Sequence, residues 1–77
     1  MKNLLSFLIK RITGIKDFTI QESTENSYTN FTVITEPGTA GLIIGKQGRT
    51  IKTIRNLLKV KATLEKKGVN ISVEEKE

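Results

Sequence analysis

Two glycines three residues apart, with cations on either side, are the first place in this chain where residue types and spacing could do chemistry. The stretch reads Leu42-Ile43-Ile44-Gly45-Lys46-Gln47-Gly48-Arg49-Thr50-Ile51-Lys52. Glycine reaches positive φ at little cost and carries no Cβ, so a Gly-x-x-Gly turn can bare its amides to a close-lying ligand. A basic amphipathic segment follows at once, which places those amides at a helix N-terminus, where orphan donors and the macrodipole favour an anion. Lys46 and Arg49 add full positive charge. The chemistry these residues suit is the gripping of phosphate.

Two familiar phosphate motifs are excluded by spacing. A P-loop needs a glycine five residues before Gly45 and Ser or Thr after Lys46, whereas Ala40 and Gln47 occupy those positions. The dinucleotide fingerprint needs a glycine at the position of Ile43. A Gly-x-x-Gly loop that clamps a single-stranded nucleic-acid backbone remains. With its flanking isoleucines and basic helix, Ile43 to Lys52 resembles the signature of KH domains, and most closely that of small stand-alone bacterial KH proteins of the KhpA type. The resemblance runs over nearly the whole chain. It departs from the family at Gly38-Thr39-Ala40-Gly41-Leu42, where acids usually precede the helix and a basic residue often stands in place of Leu42.

Composition narrows the function further. The chain has 77 residues, a net charge of +5, no cysteine and no histidine. This excludes disulfides and Cys-based metal sites and removes the commonest general base and metal ligand. No cofactor, no metal and no catalytic residue is expected, because Glu22, Glu25 and Glu36 are scattered without a second catalytic partner. The positive charge is concentrated: Gly45 to Lys67 carries eight lysines and arginines against Glu65 alone, while the remainder has five against seven acids. Such a segment presents a basic patch to an anionic partner.

The elements that must position this patch follow from periodicity. Met1 to Thr13 reads as an amphipathic helix, with Leu4, Leu5, Leu8, Ile9 and Ile12 on one face and Gly14 as its C′ residue. Its start mimics a secretory leader. The apolar run is short, however, stops at Lys10-Arg11 and lacks a small-residue cleavage site. No stretch is long enough to span a membrane, and a cytoplasmic location is expected. Ile15 to Glu22 alternates as a strand, Ser23 to Ser27 reads as a turn or variable loop, and Tyr28 to Thr35 as a second strand in an antiparallel hairpin. Thr39 caps a short helix over 40–44. A long helix is predicted from Arg49 to about Lys66, with Ile51, Ile54, Leu58 and Ala62 facing the core and Gly68 at C′. Lys52, Arg55 and Lys59 fall on another face, and Lys61 lies near enough to the apolar side to snorkel. Val69, Ile71 and Val73 mark a last strand, followed by a fraying tail from Glu74 to Glu77.

The order α-β-β-α-α-β matches the type II KH arrangement, an α+β fold in which three helices cover one face of a three-stranded mixed sheet. One domain is expected over 1–77, with its β-α-α-β core at about 28–75 and the added helix and strand at 2–22. The resemblance implies a non-catalytic protein that holds about four nucleotides of single-stranded RNA, without distinguishing single-stranded DNA, in a groove beside the last strand's edge. Gly45, Lys46, Gln47, Gly48, Arg49, Lys52, Ile44 and Arg55 are the expected contacts. Bases would rest on aliphatic residues, since no aromatic lies near the motif in sequence. RNA chaperoning or post-transcriptional regulation is implied, through a homodimer or a heterodimer with a larger KH-containing protein. The alternative is a KH scaffold that acts mainly through such a protein partner.

Overall fold

The computed structural model describes residues 1–76. Helix α1 (Lys2–Thr13) is followed by strands β1 (Phe18–Glu25) and β2 (Tyr28–Thr35), a five-residue helix α2 (Ala40–Ile44), a 3₁₀ turn over Lys46–Gly48, helix α3 (Arg49–Leu64) and strand β3 (Gly68–Glu75). The strands form one sheet in the order β1-β2-β3, antiparallel between β1 and β2 and parallel between β2 and β3. This is the α-β-β-α-α-β order of the type II KH fold, with two long helices and the short α2 against the sheet.

Burial follows the two periodicities. Leu5 and Ile9 of α1 are one turn apart and fully buried, as are Ile54 and Leu58 of α3, with Ile51 and Ala62 completing that stripe. Every second residue of β2 (Thr29, Phe31, Val33, Thr35) points into the same core, opposite Val69 and Ile71 of β3. Phe31 and Val33 therefore sit beneath the helices at the centre of the sheet, and most of the hydrophobic stabilisation is concentrated there. The outer half of α1's apolar set stays in water: Ile12 is exposed, as is Phe7, whose ring carries the Arg11 guanidinium 6.0 Å from its centroid.

Four local expectations are corrected. The hairpin is tighter than a Ser23–Ser27 loop. Ser23, Thr24 and Glu25 pair with Asn30, Thr29 and Tyr28, leaving only Asn26 and Ser27 as the turn, both at positive φ. A two-residue loop with that backbone matches the twist of the strands it joins, and Asn tolerates it well. The strand also starts at Phe18 rather than Ile15, because the C-terminal cap of α1 runs on through Gly14 (φ 75°) and an Ile15 amide that donates to Thr13 Oγ1.

The end of α3 differs as well. Its left-handed residue is Lys66 (φ 58°), not Gly68. The amide of Lys67 donates to Ala62 O at 2.8 Å and that of Lys66 to Thr63 O at 3.1 Å, the paired bonds of a Schellman cap. Gly68 is thereby released to open β3. The Lys61 ammonium pairs with Glu65 one turn on, at 3.4 Å. Finally, Glu74 and Glu75 do not fray, because β2 offers partners as far as Thr35 and both acids pair there. The Lys76 amide continues the ladder to Thr35 O at 2.8 Å, and its ammonium meets Glu36 at 3.2 Å. The expected tail residue Glu77 lies outside the described residues.

Candidate nucleic-acid interface

The turn between α2 and α3 is built by glycine backbone geometry. Gly45 takes φ 79° and ψ 171°, a region essentially closed to residues with a Cβ. A Cβ there would also lie 2.7 Å from Thr50 Cβ and 2.9 Å from the Thr50 amide nitrogen, inside contact distance of the backbone. The chain reverses through Gln47 (φ 57°) and Gly48 (φ 75°), two left-handed residues in succession. The amide of Gly45 closes α2 onto Gly41 O at 2.8 Å, and that of Gly48 returns to Gly45 O at 3.1 Å. Arg49 donates to Lys46 O. Two of the turn's amides are thus spent inside it. Among the described residues, those of Lys46 and Gln47 have no acceptor, and both residues are exposed.

Charge around the turn is uncompensated. No side chain caps the N-terminus of α3 at Gly48, and no acid lies in its first turn. Thr39 likewise caps α2 without a side-chain hydrogen bond, through its carbonyl, which accepts from Leu42 and Ile43. Among the described residues, Lys46, Arg49, Lys52, Arg55 and Lys59 form no salt bridge, whereas Lys61, Lys67 and Lys76 do. Free amides, the positive end of a 16-residue helix and unpaired cations all favour an anion at Lys46–Arg49.

The expected contacts divide into two places. Gly45, Lys46, Gln47, Gly48 and Arg49 form the turn; Ile44 ends α2 beside it, partly exposed, and Lys52 stands one helical turn beyond Arg49. Arg55 belongs elsewhere. It is half-buried and lines an open cleft of about 420 Å³ between α3 and the start of β3, together with Lys59, Thr63, Lys67, Asn70 and Tyr28. Its Nε is buried without a hydrogen-bond partner among the described residues. An aromatic does reach the far end of the basic helix, away from the turn. Tyr28 is far from Arg55 in sequence, but the register Tyr28↔Gly68 carries its ring to this end of α3. Only sheet pairing brings the two together, so no local sequence signal could have found it.

The fold order, the Gly-x-x-Gly turn at the head of a basic helix and the cleft beside an edge strand define a KH domain. The chain matches the family model described as "KhpA/KhpB, KH domain" over residues 2–74, and it belongs to that family. KH domains are RNA-binding modules. No curated protein and no solved structure shows a significant match to it. Among the described residues no helix is long and apolar enough to cross a membrane.

Proposed function

We propose that this chain is a single, non-catalytic KH domain, located in the cytoplasm, that binds single-stranded RNA. It clamps about four nucleotides between the Gly45-Lys46-Gln47-Gly48 turn and the basic side of α3. The observation that carries this reading is the turn itself: unengaged amides on Lys46 and Gln47, and a helix N-terminus with no side-chain cap and no acid in its first turn. Lys46 and Arg49 meet phosphates, Lys52 extends the charge along the strand, and Ile44 offers apolar surface to a base. Loose sequence preference and modest affinity for one copy follow, which suits an RNA chaperone or a post-transcriptional regulator.

The deciding experiment replaces Lys46 and Gln47 by Asp together. Both glycines stay, and Asp is among the residues that best tolerate Gln47's left-handed φ. The fold should survive with a melting temperature close to the parent's. The turn's charge changes by one lost cation and two gained carboxylates. RNA affinity should fall at least tenfold, about 1.4 kcal/mol. Parent-like binding by the double variant would reduce the turn to a corner between helices and remove this reading.

A second reading, action through a protein partner, is favoured by one observation. Leu57, Val60 and Leu64 recur at i, i+3 and i+7 on α3 and stay 45%, 62% and 80% exposed. An apolar helical stripe left in water is the kind of surface that a second copy, or a larger KH-containing protein, would cover. Sedimentation equilibrium at micromolar concentrations should give a dimer that Val60→Glu dissociates. A monomer throughout, with no partner protein added, would count against self-association.

A further inference from the structure

The hairpin side of the molecule has a charge pattern that the phosphate clamp does not use. From Asp17 to Gly45 the chain carries Asp17, Glu22, Glu25 and Glu36 and no lysine or arginine. Glu36 is paired with Lys76. Among the described residues Asp17, Glu22 and Glu25 form no salt bridge. All three lie on or beside β1, the outer strand at the opposite edge of the sheet from β3. The two edge strands are two strand spacings apart, about 10 Å.

β1 is an open edge. Its eight residues pair with β2 in an unbroken register, and none of them is Lys or Pro. Bulges, lysines and prolines are the usual devices that blunt an edge, and all three are missing from this strand. Among the described residues, its one backbone hydrogen bond outside that pairing runs from the Phe18 amide to Lys16 O, at 3.2 Å. Helix cover also ends early. Ile20 is buried, but Glu22 and Thr24 on the same face are exposed, although their partners Phe31 and Thr29 on β2 are buried. From Gln21 to Glu25 the strand is therefore open on both faces as well as along its edge.

A strand edge with free donors and acceptors can take another extended segment, held by main-chain hydrogen bonds while side chains set the choice. The side chains here choose against a second copy. A β1–β1 pair would set Asp17, Glu22 and Glu25 against the same three acids, and like charges facing each other across strands are destabilising. The opposite charge is attracted by the same groups. We propose that β1 receives an extended basic segment of another protein as a fourth strand of the sheet. Lys or Arg on one face of that segment meets Glu22, a cation on its other face meets Glu25, and a residue beside Ile20 rests on the margin of the core. The site uses none of the clamp's residues, so a basic protein is held at one edge while the turn stays free. It stands whether or not the turn binds RNA.

The test uses capped eight-residue peptides of alternating threonine and lysine, in both phases, titrated into the whole protein without RNA. Binding is read by anisotropy of a label on the peptide, and its place by amide hydrogen exchange. Exchange along Gln21–Glu25 should slow at saturating peptide. Peptides with glutamate in place of lysine, and lysine peptides N-methylated at every residue, should each bind at least about tenfold more weakly. Glu22→Gln combined with Glu25→Gln should weaken the lysine peptides by a similar factor. Both acids are exposed, so the melting temperature and RNA affinity of that double variant should stay close to the parent's. Lysine peptides that leave β1 exchange unchanged overturn the proposal. So does undiminished binding of the N-methylated peptides, which would reduce the effect to charge attraction without a strand. Slowed β1 exchange on raising protein concentration alone would name a second copy as the occupant and overturn it equally.

Discussion

Gly45 and Gly68 both exclude a side chain, but for different physical reasons, and they mark the two ends of the candidate groove. At Gly45 the backbone itself is the constraint: φ 79° with ψ 171°, and a Thr50 amide nitrogen where a Cβ would go. At Gly68 the backbone is ordinary strand and the obstacle is the ring of Tyr28, a half-exposed side chain that can swing away. One glycine is required by the chain's path. The other is required by a neighbour, and that neighbour forms part of a surface. A glycine demanded by backbone geometry can be recognised from its motif, whereas one demanded by a partner across a sheet cannot.

The largest effect is therefore expected at Gly45. Gly45→Ala combines a forbidden backbone region, costing of order 1–3 kcal/mol, with a clash that only backbone movement relieves. A loss of about 3 kcal/mol of stability is expected, lowering the melting temperature by roughly 12–24 °C for a domain of this size. Gly48→Ala serves as the internal control. Its φ is also positive, but nothing lies within 4 Å of the added Cβ, so about 1–2 kcal/mol is expected. Equal losses at the two positions would mean that the Thr50 contact matters little.

The next prediction reads the Gly45 end by salt. Four to five phosphate contacts should give a slope of about −3 in log affinity against log salt, at about −0.7 per contact on a single strand. Lys46→Gln should make that slope shallower by about 0.7. A slope near zero in the parent would contradict phosphate clamping. Gly68→Ala is a smaller perturbation, costing about 1 kcal/mol or less because the ring can yield, yet it should shift tyrosine emission in the free protein. An unchanged spectrum would show that the ring does not rest on Gly68.

The sequence legibility of the fold follows the same division. Ile51, Ile54, Leu58 and Ala62 were readable because helical periodicity is local, and Phe31 and Val33 because strand alternation is. The Gly45–Gly48 turn was readable because its residue types state their own backbone demands. Tyr28 in the cleft was not, since a parallel register between residues 40 positions apart, Tyr28 and Gly68, places it. Lys66 was missed for a different reason. Local preference nominates the nearest glycine for a left-handed cap, but β3 needs Gly68 in extended conformation opposite Tyr28, so the cap fell two residues earlier on a residue that dislikes it.

That displacement leads to the smallest effect, and the only one of opposite sign. Lys66 sits at φ 58° in the Schellman position where glycine is the preferred residue, and a left-handed conformation costs an ordinary residue roughly 1–2 kcal/mol. Lys66→Gly relieves that strain. Part of the gain is offset because glycine leaves the unfolded chain more freedom to lose. A net stabilisation of about 0.5–1 kcal/mol is expected, read as a rise in the urea midpoint with an unchanged slope. The side chain makes no salt bridge among the described residues, so no pairing is lost with it. RNA affinity should hardly change, because Lys66 lines neither the turn nor the cleft. A destabilised Lys66→Gly protein would show that the strain is compensated locally, and that the cap's displacement from Gly68 costs the fold nothing.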